Sequence, residues 1–191
     1  MSKGRLEAFS DGVMAIIITI MVLELRPPES AALESLRPLI PTFLSYLLSF
    51  APLGTYWNNH HHLLQAARVI DARVLWANLH LLFWLSLFPF GTAWVGQTEF
   101  APIPVAAYGV LLFFAGTAYF VLVRMLLRVQ GQPTALAEAI GRDVKGKLSS
   151  LAFIVAIPLA LVAPALSLAL DAAVVVMWLI PDRRMERVIR G

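Results

Sequence analysis

Long apolar runs dominate the chain, and polar residues fall into short gaps between them. Six such runs can be drawn, at 6–26, 41–65, 74–96, 103–127, 148–163 and 164–181. About 20 apolar residues in a helix cross the hydrocarbon core of a bilayer, so the pattern predicts an all-α membrane protein with six transmembrane helices. The last two runs are short and parted only by Ala163-Pro164-Ala165. Merged, they would form one helix too long for a bilayer, so a tight uncharged turn is expected between them. The first run follows Lys3 and Arg5, as a signal peptide would, but it ends in Glu24-Leu25-Arg26-Pro27 without a small-x-small cleavage site. It reads as a retained span.

Composition supports this pattern. Of 191 residues, 59% are hydrophobic and 14% charged, and the mean hydropathy is +0.76. Soluble domains carry roughly half apolar and about 25% charged residues, so too little polar surface exists here to cover a water-soluble particle. Neither 27–40 nor 129–147, the longest connections, is large enough for a separate unit, and no internal duplication is visible. Residues 1–191 are therefore read as one domain. Cysteine is absent, which removes disulfides and thiolate chemistry.

The net charge of +3 forms no basic face that would suit nucleic acid. Its distribution instead orients the chain. With the N-terminus inside, Lys3, Arg5, Arg68, Arg73, Arg124, Arg128, Arg142, Lys145, Lys147, Arg183, Arg184, Arg187 and Arg190 lie on the inner side. Only Arg26 and Arg37 lie outside. This positive-inside bias predicts that both termini are cytoplasmic.

Polar residues inside spans need a partner or a water path. They concentrate in the first three runs: Arg5, Glu7, Ser10, Asp11 and Thr19; then Trp57-Asn58-Asn59-His60-His61-His62; then Asn78 and His80. The three clusters lie at similar depth, so a shared hydrogen-bond network is expected. His60, His61 and His62 point about 100° apart on a helix and cannot all face one ion. His80 and Asp11 could complete a metal set, but a structural network is favoured and no metal is assigned. Ser10 beside Asp11 does not make a nucleophile relay, so no catalytic residue is assigned and an enzyme is not expected. Asp171 stands alone in the sixth run, with Ser167 one turn before it, and reads as a carboxylate near the outer water hydrogen-bonded to a neighbour, in preference to a proton or cation site. Glu24 is a charged mouth or a solvated helix end.

On an ideal helix Ile16, Thr19, Ile20 and Leu23 form one stripe, with Asp11 about 140° from Ile16. By periodicity alone, the stripe faces lipid or packs against neighbours.

The segment Arg5-Leu6-Glu7-Ala8-Phe9-Ser10-Asp11 resembles the R-x-x-x-F-S-D signature of the transmembrane protein 175 family, the endosomal and lysosomal potassium channel with its shorter bacterial homologues. Ala15-Ile16, Thr19, Leu23-Glu24-Leu25, Trp57, His60, His61, Asn78, His80 and Pro89-Phe90 continue the likeness. The resemblance implies a homotetramer whose first helix lines a central pore, sited in the cell membrane (the bacterial inner membrane), with K⁺ as permeant ion and no cofactor. It implies a passive leak channel, moderately potassium-selective, in which Ile16 makes a hydrophobic gate. Thr19 adds a hydroxyl layer, and Ile20 and Leu23 continue the lining. Arg5, Phe9, Ser10, Asp11, Trp57, His60 or His61, Asn78 and His80 would tie the pore helix to its neighbours.

The residues agree with this implication: no Thr-Val-Gly-Tyr-Gly loop exists to form a carbonyl filter. No single span has a continuous polar face either, so one chain cannot enclose a wet pore. An alternative reading is a proton-coupled transporter that uses Asp11, His80 and Asp171. It would need paired broken helices or inverted repeats, and none is evident.

Overall fold

The computed structural model describes residues 2–130 and 143–179, and all regular structure among them is helical. Helix α1 spans Lys3–Leu23. A 3-10 turn at Leu33–Leu39 leads into α2, Ile40–Ala66. Then come α3 (Ala72–Ser86), α4 (Phe88–Gln97), α5 (Pro102–Gln130), α6 (Val144–Ala160) and α7 (Pro164–Leu179). Among the described residues, four stretches are long and apolar enough to cross a membrane: Lys3–Leu23, Leu33–Ala66, Ala72–Gln97 and Pro102–Gln130. Helices α6 and α7 are shorter, at 17 and 16 residues. Arg142 and the C-terminal Arg183, Arg184, Arg187 and Arg190 lie outside the described residues.

Helix ends follow local chemistry. Asp71 caps α3 by accepting a hydrogen bond from Val74 N at 3.0 Å, and Asp143 caps α6 by accepting from Gly146 N at 3.1 Å. The third apolar run, expected as one helix, is divided at Leu87. Pro89 has no N–H to continue the ladder, and it is tolerated in the first turn of α4 instead. Glu99 and Phe100 adopt positive φ, reversing the chain into α5. The expected turn at Ala163-Pro164 is present, closed by Ala163 N donating to Leu159 O at 2.8 Å. At the opposite end of the bundle, Gln130 uses its whole side-chain amide on the α2–α3 connection. Its oxygen accepts from Arg68 N and Val69 N, and its nitrogen donates to Val69 O.

Helix α5 is the central post, packed against α3, α4, α6 and α7, while α1 lies against α2, α3 and α4. Leu53, Leu64, Leu81, Leu85, Phe88, Leu112, Leu122 and Leu126 fill the core. In lipid, helices gain little from apolar burial alone and rely on close packing, which small residues permit. At Gly96 a Cβ would come within 2.9 Å of the Thr42 Cα and 2.5 Å of the Ser45 Oγ, so α4 rests almost backbone to backbone on α2. Gly91 is also tight, but its nearest neighbour, at 2.8 Å, is the movable Leu111 Cδ1. Gly96→Ala is expected to destabilise the protein by about 1–3 kcal/mol, and Gly91→Ala by less. Thermal unfolding of the two variants in detergent checks the order.

Candidate functional site

Helix α1 has two unlike faces. Leu6, Ser10, Met14, Ile17 and Met21, spaced three or four apart, are buried against the rest of the chain. The opposite side carries Phe9, Gly12, Ile16, Thr19, Ile20 and Leu23, all exposed. Ile16 is 59% exposed and Leu23 76%. The Thr19 hydroxyl donates to its own helix at Ile16 O, 2.9 Å away, which leaves its oxygen lone pairs facing outward. Ile16, Thr19, Ile20 and Leu23 therefore share one face that no other part of the described chain covers.

The buried side is held by polar ties that define their own proton positions. Ser10 donates to Leu6 O at 2.9 Å, so its oxygen is free to accept from Asn78 Nδ2, also at 2.9 Å. With its nitrogen engaged there, Asn78 turns Oδ1 to His60, whose Nε2 donates at 2.7 Å. All three residues are buried. The chain Ser10–Asn78–His60 thus links α1, α3 and α2 without an unmatched donor between them.

A second tie runs beside it: Trp57 Nε1 on α2 donates to Asp11 Oδ1 at 3.0 Å. Lys3 reaches the end of α2 by donating to Gln65 O at 2.8 Å. At the opposite end of α1, Gln97 donates to Glu24 at 3.3 Å.

The remaining polar residues do not join one continuous network. His61 accepts from Gln65 one turn along its own helix, at 2.8 Å, and stacks on Trp57. His80 accepts from Trp84 at 2.9 Å, again within its own helix. Arg5 and Phe9 are exposed on α1 and take no part in the Ser10–Asn78–His60 chain. Among the described residues, no three His, Asp or Glu side chains converge as a metal site.

A further set of ties went unread in the sequence. Thr92 on α4 donates to Ser49 Oγ at 2.6 Å, Ser49 on α2 donates to the Tyr108 hydroxyl at 2.9 Å, and Tyr108 on α5 donates to Leu48 O at 3.4 Å. Thr92 Oγ1 also lies 3.5 Å from Met21 Sδ on α1. The available signal was hydroxyl residues in mid-run, each of which must find a partner in an apolar setting.

Several apolar helices of spanning length, with polar contacts sequestered between them, define a multi-pass membrane protein. The model of the endosomal/lysosomal potassium channel TMEM175 family matches residues 5–89. A potassium channel of a Chryseobacterium species is 47% identical over 190 residues, covering 100% of this chain and 99% of that protein. The human endosomal/lysosomal proton channel TMEM175 is 35% identical over 96 residues, 44% of this chain and 19% of that one. The crystal structure of a lysosomal potassium-selective channel TMEM175 homolog from Chamaesiphon minutus superposes with a TM-score of 0.81 at 26% identity. That match covers 95% of this chain and 98% of the other. The chain belongs to the TMEM175 family of ion channels.

Replacing Asn78 with Leu removes both bonds of the buried chain and leaves Ser10 and His60 facing an apolar side chain. A loss of about 1–3 kcal/mol per orphaned group is expected. Asp11→Asn, which keeps an acceptor for Trp57, should cost less. Thermal unfolding midpoints of the purified variants measure the difference.

Proposed function

We propose that the chain is one subunit of a passive, moderately potassium-selective cation channel in which four copies surround a central pore lined by α1. The observation that carries this reading is the uncovered Ile16–Thr19–Ile20–Leu23 face, on a helix whose other side is tied down by Ser10 and Asp11. An exposed apolar stripe suits lipid equally well when taken alone. The Arg5–Asp11 signature on the same helix and the naming of close relatives as potassium channels favour the axis of an assembly.

Four Ile16 side chains around a symmetry axis make a narrow apolar neck. An ion must shed part of its water there, and K⁺, more loosely hydrated than Na⁺, does so at lower cost. Thr19 hydroxyls, with lone pairs free, hold displaced water or the ion itself, and Ile20 and Leu23 extend the lining. Ser10, Asp11, Trp57, His60 and Asn78 keep the helix in this orientation.

In this reading α6 and α7 cross as short helices, giving six spans, and both termini are cytoplasmic in the cell membrane. No cofactor takes part. A transporter built on Asp11, His80 and Asp171 is less well supported, because Asp11 and His80 are engaged by different tryptophans and Asp171 stands on α7.

Protein reconstituted in liposomes should pass K⁺ faster than Na⁺, without an imposed proton gradient. Vertebrate relatives are named as proton channels, so H⁺ flux belongs in the same assay. Ile16→Asn should lower the K⁺/Na⁺ flux ratio by several-fold. An unchanged ratio and unchanged conductance would place the neck elsewhere.

A further inference from the structure

Away from the exposed face of α1, a groove of about 700 Å³ opens between α2, α5 and α7. It lies at the end of the bundle that carries the α4–α5 and α6–α7 turns. Its wall is almost wholly apolar, with Leu44, Leu47, Leu168 and Val176 among its side chains. Among the described residues, only Glu99, Tyr108 and Asp171 add polar groups, and no Lys, Arg or His lines it.

Asp171 is 4% exposed, and among the described residues neither of its carboxylate oxygens has a hydrogen-bond partner, contrary to the hydrogen-bonded carboxylate expected from sequence. The nearest hydroxyl on its own helix, one turn earlier at Ser167, is already spent on Ala156 O at 2.8 Å. Tyr108 directs its proton to Leu48 O. An unpaired ionisable group at this depth is costly, and the lining of the groove supplies nothing to pair it.

We propose that the groove is a binding site for organic monocations that carry a protonated amine on an apolar body, with the ammonium seated on Asp171. The volume falls within the range of sites for small organic ligands. An inorganic cation would need a shell of oxygen ligands, and the wall offers too few. A plain acyl chain would match the apolar lining but leave the carboxylate unpaired. Glu99 in the lining adds a second negative charge to draw a cation in. Because Asp171 makes no hydrogen bond, its side chain turns to a ligand without breaking one. The site is built from helices behind the proposed pore face and stands whether or not α1 lines a pore.

The test is equilibrium binding of radiolabelled dodecylamine to the full chain in phosphatidylcholine nanodiscs, with dodecanol as the uncharged competitor. Dodecylamine should bind saturably, and dodecanol should not displace it. Asp171→Asn should weaken binding by about tenfold or more. Ala172→Trp, which keeps the carboxylate but fills the groove, should abolish it. The proposal is overturned by equal, non-saturating uptake in wild type and Asp171→Asn, which is partition into lipid alone. Equal competition by dodecanol overturns it in favour of an acyl slot. Undiminished binding to Ala172→Trp, or no binding to wild type because a second copy covers the groove, overturns it as well.

Discussion

A polar group in the interior of a membrane protein has no water to fall back on, and this constraint orients α1. Ser10 and Asp11 are adjacent in sequence, so they point in different directions on the helix. Each nevertheless finds a partner on another element, Asn78 on α3 and Trp57 on α2. Two ties at different angles fix rotation about the helix axis as one could not. The apolar residues farther along then have no freedom to choose their side. Ile17 and Met21 follow Ser10 into the core, while Ile16, Ile20 and Leu23 are left outside. The side chains that set the exposed face are thus not the ones that lie on it.

The same economy appears near the other end of the helix. Thr92, Ser49 and Tyr108 pass hydrogen bonds from α4 through α2 to α5, close beside Met21. These ties are weaker individually than an ion pair, but each joins helices that lipid gives little reason to associate. With Gly96 bringing α4 hard against α2, they give the bundle a specific arrangement rather than a merely greasy one.

Much of this was legible in the residues. The helical runs follow from hydropathy alone, and their ends lie within a few residues of those observed, because Pro, Asp caps and charge gaps stop helices locally. The break at Leu87 was missed since Pro89 lies inside an otherwise continuous apolar run and hydropathy does not see a missing N–H. The clusters around Ser10, His60 and Asn78 were visible as polar residues in costly places. Their division into separate ties was not, because a sequence gives depth but not the angle at which helices meet. His61 and His80 illustrate the point: each had a satisfactory partner one turn away on its own helix, Gln65 and Trp84, and did not need another element. Arg5 carries part of the family signature and yet stays exposed, so its motif membership said nothing about its contacts within one chain.

At the opposite end from the α4–α5 turn, the amide of Gln130 joins the end of α5 to the α2–α3 connection. It grips Arg68 and Val69 with three hydrogen bonds. The end of the central post is thereby pinned to the connection between α2 and α3, the helices that bear His60 and Asn78. Because the Gln130 side chain is neutral, the pinning of α5 to the α2–α3 connection does not change with pH or salt as an ion pair would.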